Sequence, residues 1–116
     1  RRAGLDYWHY VDLRVYESWE EFASQTLPQL GEKYYFTKYA TQSILDVEFP
    51  QSGKMVLIFG SETNGLTDIE DALPPGELER HGVAFPMRST QVFRSFNLST
   101  SASLGLWEAY KQLVTR

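Results

Sequence analysis

The chain has 116 residues, a formal net charge of −4 and no cysteine. Its length suits one domain with a single core, built largely from three Trp, seven Tyr and seven Phe. The missing cysteines exclude disulfides and thiolate metal sites, no apolar run approaches a membrane span, and the acidic balance argues against a protein that coats nucleic acid indiscriminately.

The chain starts at Arg1-Arg2-Ala3 where a Met would open a complete protein, so the sequence is expected to be cut from something longer. Residues 11–16 alternate Val, Asp, Leu, Arg, Val, Tyr, the pattern of a half-buried strand. Ser18-Trp19-Glu20-Glu21 then forms a capping box with Ser18 as N-cap, opening a short helix to about Leu27 that Pro28 and Gly31 end. His9 and His81 have no partners at metal-ligand spacing, so no metal is expected.

Lys33 to Thr37 has the aromatic richness of a buried strand, and Lys38-Tyr39-Ala40-Thr41 is the loop leaving it. The clearest central strand is Lys54 to Phe59, a continuous apolar run of the kind covered on both faces in a parallel sheet. Gly60-Ser61-Glu62-Thr63-Asn64-Gly65 follows it, and a helix is expected over Asp68 to Leu73. A strand, a glycine-bracketed polar loop and a helix in that order mark where α/β folds place ligands. Gly60 would let a ligand approach the backbone and Gly65 would accept positive φ, although the spacing is neither a Walker loop nor a dinucleotide fingerprint and also suits an ordinary turn.

Pro74-Pro75-Gly76 closes that helix, and Gly82 to Phe85 forms a short strand ending at Pro86. Strands alternating with helices predict an α/β fold, a mostly parallel sheet flanked by helices. From Arg80 to Trp107 there are three Arg and no carboxylate, so this stretch is locally basic inside an acidic chain and suits a confined anionic partner. Ser, Asn, Thr and Arg beside an apolar C-terminal helix (Leu104, Leu106, Trp107, Ala109, Tyr110, Leu113) have the make-up of a ligand site; Ser99, Thr100 and Ser101 serve equally well as helix caps. The Asn97-Leu98-Ser99 triplet is read as an accidental match to a glycosylation acceptor.

Three loops thus follow three strands. The Phe59-to-Leu66 loop, the Phe85-Pro86-Met87 strand end and the Arg94-Ser95-Phe96-Asn97-Leu98-Ser99 loop together resemble the three signature motifs of the SPOUT class of RNA methyltransferases. Within it the chain looks most like the TrmL group, and Arg1 to Tyr7 also resembles a segment of that group, so the likeness covers nearly the whole chain.

The resemblance implies a single domain over 1–116 with a deep C-terminal trefoil knot, an exception to the rule that chains avoid knots. It implies S-adenosylmethionine as cofactor, tRNA as partner, a homodimer through the knot region and C-terminal helix, and 2′-O-ribose methylation at wobble position 34. Another tRNA position, ribosomal RNA, or a non-catalytic RNA-binding relative are the alternatives. Carried over residue by residue, Phe36, Thr37, Gly60, Glu62, Phe85, Met87, Ser95 and Leu98 bind cofactor. Ser95 and Asn97 orient the ribose, and Glu62 either takes part or braces the loops. Lys38, Arg88 and Arg94 contact RNA phosphate. A cytoplasmic setting is expected, or an organelle if a transit peptide lies upstream. Relatives carry an upstream strand and an Asn-Gly-Arg motif that this sequence lacks, so the chain by itself is expected to be inactive. Many also have Gly where Ala40 stands.

Overall fold

The computed structural model describes residues 11–51, 54–61, 64–86 and 97–115. Three parallel strands, β1 (Glu32–Phe36), β2 (Met55–Phe59) and β3 (Gly82–Val83), form a sheet in the order β2-β1-β3. Among the described residues four α-helices accompany them: α1 (Trp19–Gln25), α2 (Thr67–Glu70), α3 (Glu77–His81) and α4 (Leu98–Thr115). The predicted α/β class with a parallel sheet is what the chain adopts. The predicted knot depends on residues 87–96, which lie outside the described residues.

Period-2 alternation along β1 sorts the core into two layers. On one face Tyr34 and Phe36, with Leu57, Phe59 and Val83, pack against Ile44, Val47, Phe49 and Ala109 of α4. On the other, Tyr35 and Ile58 pack with Leu27 and Leu66, closed over by Trp19, Phe22, Ile69 and Leu78 from α1, α2 and α3. Helices therefore cover both faces, which is why β2 reads as an unbroken apolar run.

Ser18 caps α1 as expected, its Oγ accepting from Glu21 N at 3.1 Å, while Glu21 Oε1 accepts from Glu17 N at 2.9 Å. The strand expected over residues 11–16 does not form. Alternation yields a strand only where a neighbour supplies a ladder, and no described strand pairs with this segment. Leu13 N instead donates to Val11 O, and Val15 is 87% exposed. The helix expected over 68–73 is a single turn at Thr67–Glu70, carried on by turns to Leu73. Helix α3 was not expected, because Pro74-Pro75-Gly76 reads as a stop. It is a start: Gly76 sits at φ 79° as N-cap, with Glu77 and Glu79 in the first turn and Arg80 and His81 in the last, matching the helix dipole at both ends.

Helix α4 turns its small residues inward. Gly105 and Ala109 are buried, whereas Leu106, Trp107 and Tyr110 are 64%, 59% and 54% exposed. A Cβ at Gly105 would lie 3.1 Å from Phe59 Cζ and 3.2 Å from Phe36 Cζ, so any larger residue would press on that stacked ring pair and the rings would have to give by a few tenths of an ångström. Gln112 then ties the helix to the chain before β2, its Nε2 donating to Val47 O at 2.9 Å and its Oε1 accepting from Phe49 N at 2.8 Å.

Candidate functional site

Parallel pairing in register brings three strand ends level. Phe36 sits opposite Phe59 on one side and Val83 on the other, so the chain leaves the sheet at Thr37, Gly60 and Ala84 along one edge. This is the carboxyl-end crevice where α/β sheets bind ligands. Aromatic rings floor it: Phe36 and Phe59 stack with centroids 4.6 Å apart at 17°, and Phe85 tilts against Phe36 at 5.6 Å. Phe36 is 7% exposed and belongs to the core, while Phe59 and Phe85 are half-buried and nearer the surface.

The first loop is a tight turn. Thr37 N donates to Val83 O at 3.0 Å, Ala40 N donates to Thr37 O at 3.3 Å, and Thr37 Oγ1 accepts from Tyr39 N at 3.3 Å. The family resemblance leads one to expect Gly at Ala40, yet no non-glycine residue among those described has positive φ, so the turn needs no glycine there. At its tip Lys38 Nζ lies 5.3 Å from the Tyr39 ring centroid, and both side chains face solvent. Beyond it the chain runs parallel to the segment leaving β3, with Ile44 N donating to Ala84 O and Ala84 N to Gln42 O.

The second loop closes on itself. Ser61 and Gly65 exchange both backbone hydrogen bonds, at 3.1 and 2.9 Å, and Ser61 Oγ accepts from Asn64 N at 2.9 Å. Gly65 has φ 60°, the left-handed conformation expected of it. The clearance at Gly60 is taken up within the loop, since a Cβ there would lie 2.0 Å from the Gly65 carbonyl carbon.

The third loop joins α4 at Asn97, whose Oδ1 accepts from Thr100 N at 2.8 Å while its own carbonyl accepts from Ser101 N at 2.9 Å. The cap is therefore Asn97 and not Ser99, Thr100 or Ser101, and what its side chain still offers a ligand is the Nδ2 donor pair. Leu98 opens the helix and is 38% exposed. Phe36, Thr37, Gly60, Phe85, Asn97, Leu98 and Lys38 are thus located. Glu62, Met87, Arg88, Arg94 and Ser95 lie outside the described residues.

One cluster beneath the crevice had no sequence signal. Glu77 is 4% exposed, and its carboxylate accepts from Tyr35 Oη at 2.9 Å and pairs with Lys33 Nζ at 3.0 Å and Arg80 Nη2 at 3.5 Å. Burial is the largest influence on this carboxyl and pushes it up. Hydrogen bonds from Lys33 and Tyr35, with the charges of Lys33 and His81, outweigh burial and leave Glu77 below its ordinary value. The Tyr35 phenol is raised, by burial first and then by the carboxylate it donates to. Lys33 and Tyr35 share a face of β1 by period 2, which the sequence does show; that α3 delivers a carboxylate to that face it does not.

No group of three or more His, Cys, Asp or Glu among the described residues could hold a metal ion, and no described helix is long and apolar enough to cross a membrane.

Comparison with known proteins converges on one family. The SpoU rRNA Methylase family matches residues 1–107. A Geobacillus stearothermophilus protein provisionally named as a tRNA (cytidine(34)-2′-O)-methyltransferase is 37% identical over 113 residues, covering 97% of this chain and 67% of its own length. The tRNA (cytidine(34)-2′-O)-methyltransferase of Acidovorax sp. is 34% identical over 113 residues, covering 97% and 65%. A solved chain from a study of the 2-OH methylation of C/U34 on tRNA superposes with a TM-score of 0.74 at 32% identity, over 100% of this chain and 69% of that one. The chain thus spans about two thirds of the length of the relatives it matches.

Proposed function

The chain belongs to the SpoU rRNA methylase family, a SPOUT-class family, and from that premise we propose that it is the greater part of an S-adenosylmethionine-dependent tRNA 2′-O-ribose methyltransferase acting at wobble position 34. The observation that carries the reading is the likeness to relatives named for that reaction over 97% of the chain. The level strand ends, from which the chain leaves the sheet at Thr37, Gly60 and Ala84, support it.

The residues present fit a purine-bearing cofactor. Half-buried Phe59 and Phe85 over an aromatic floor supply an apolar slot, and the strand ends beside it supply backbone amides and carbonyls. In the proposed site Phe36, Thr37, Gly60, Phe85 and Leu98, with Glu62, Met87 and Ser95, hold S-adenosylmethionine, which supplies a methyl group already activated on sulfonium. Phe36 does so from below, as the core ring that sets the height of Phe59 and Phe85.

The protein's own work is then alignment. Ser95 and the Asn97 Nδ2 donors orient the ribose so that its 2′-oxygen faces the methyl group in line. Transfer would form the ribose O–CH3 bond as the sulfonium C–S bond breaks, with S-adenosylhomocysteine as the leaving group and the hydroxyl proton released to solvent. Glu62 braces the second loop, and Lys38, Arg88 and Arg94 meet backbone phosphate with the local positive charge of that stretch.

The test is methyl transfer from isotopically labelled S-adenosylmethionine to unmodified tRNA by the full-length protein, followed by mapping of the modified nucleotide. Label on the ribose of nucleotide 34 is the expected result. Label at another nucleotide overturns the position, and no transfer to any RNA overturns the activity.

A further inference from the structure

We propose that Tyr39 is a base-stacking platform for the RNA, holding a nucleotide next to the one that enters the crevice; the inference rests on the tRNA methyltransferase reading above. Tyr39 is 75% exposed, a large aromatic surface left in water. Its position is set: the turn is closed by the Ala40 N to Thr37 O bond, and the Tyr39 amide is held by Thr37 Oγ1. That turn leaves β1, the central strand, at the same sheet edge as Gly60 and Phe85.

Single-stranded RNA is recognised by splayed bases stacked on exposed aromatic rings, with nearby cations meeting the phosphates. Both parts occur here in adjacent residues. Lys38 Nζ lies over one face of the ring at 5.3 Å, which places a phosphate-binding charge within one nucleotide's reach of the stacking surface. The ring needs few degrees of freedom frozen to do this, because its backbone is already held by the turn. Packing does not explain the residue, since Tyr39 belongs to neither hydrophobic cluster.

The experiment measures, with the full-length protein and an unmodified tRNA carrying cytidine at position 34, RNA affinity, its salt dependence, and KM against kcat. Tyr39→Ala is expected to weaken RNA binding and raise KM for tRNA by roughly 5- to 100-fold, the usual worth of one stacked base. Its kcat at saturating tRNA and its affinity for S-adenosylhomocysteine should stay at wild-type values. Tyr39→Phe and Tyr39→Trp should bind as wild type does, because stacking needs the ring and not the hydroxyl. Tyr39→Ala should leave the slope of log affinity against log salt unchanged, whereas Lys38→Gln should reduce it by about 1. A Tyr39→Ala protein that binds tRNA as tightly as a wild type shown to methylate it overturns the stacking role alone. So does a Tyr39→Ala variant that loses cofactor and RNA together, which would make the ring a brace for the loop. A wild-type protein that neither binds nor methylates tRNA removes the stacking role and its premise at once.

Discussion

At the scale of single residues, the buried carboxylate of Glu77 joins α3 to the central strand through Lys33 and Tyr35. Glu77→Gln keeps the shape and removes the charge. It is expected to cost about 1–3 kcal/mol at pH 7, the range for weakening a buried charge-assisted hydrogen bond. The folded-state pKa of Glu77 is depressed, so its contribution is complete above the unfolded value of about 4.3 and disappears as pH falls through the folded one. Denaturant unfolding at several pH values should show wild type and variant converging as pH falls from the unfolded value through the depressed folded one. A gap that persists at low pH would assign the loss to packing. Gly60 is equally constrained for a different reason: Gly60→Ala places a methyl group inside the Gly65 backbone. The loop must open, costing about 1–3 kcal/mol in thermal unfolding and lowering cofactor affinity.

At the scale of the element, α4 is governed by a cap at one end and a glycine in the middle. Asn97→Ala removes the acceptor for Thr100 N and should destabilise by about 1 kcal/mol. Asn97→Asp keeps that acceptor and should restore the stability. Comparing the two separates the residue's two roles, since only an Asn97 that also orients the ribose through Nδ2 would leave the Asp variant stable yet slow in methyl transfer. In mid-helix, Gly105→Val drives a branched side chain into the stacked Phe36 and Phe59 rings. A loss of about 1–3 kcal/mol is expected from overpacking, read from the denaturation midpoint. The apolar side chains outside the sheet contact, among them Leu106, Trp107, Tyr110 and Leu113, belong to the other face of the same helix.

At the scale of the molecule, that outer face suits the homodimer that the family resemblance implies. An exposed apolar surface of this kind on one helix is the mark of a protein interface. A Leu106→Glu, Trp107→Glu double variant should run as a monomer in light scattering where the wild type runs as a dimer. Its helix content should be unchanged, because neither residue touches the sheet layer. A monomeric wild type at tens of micromolar would overturn that expectation. The convergence of the three strand ends is internal by contrast: β1 lies between β2 and β3, and the register alone brings Thr37, Gly60 and Ala84 side by side.

Much of this was legible in the residues themselves. The apolar run before Gly60 and the aromatic run before Thr37 are strands because nothing else buries such side chains so economically, and Ser18 with Glu21 marks a helix start without help from the rest of the chain. The ordered loop motifs identified the family, because backbone turns and close approaches demand particular residues locally. What the sequence could not decide were the relations between distant segments. Val11 to Tyr16 alternates like a strand but lacks a described partner, and Glu77 gains its role only when α3 lies over Lys33 and Tyr35. Helix α4 reads as a large apolar stripe, yet it packs through Gly105 and Ala109 because the rings of Phe36 and Phe59 already fill the space beneath. Local propensity is a property of neighbours along the chain, whereas burial, charge pairing and the choice of an inner face depend on which atoms reach a place first, and only the folded arrangement settles that.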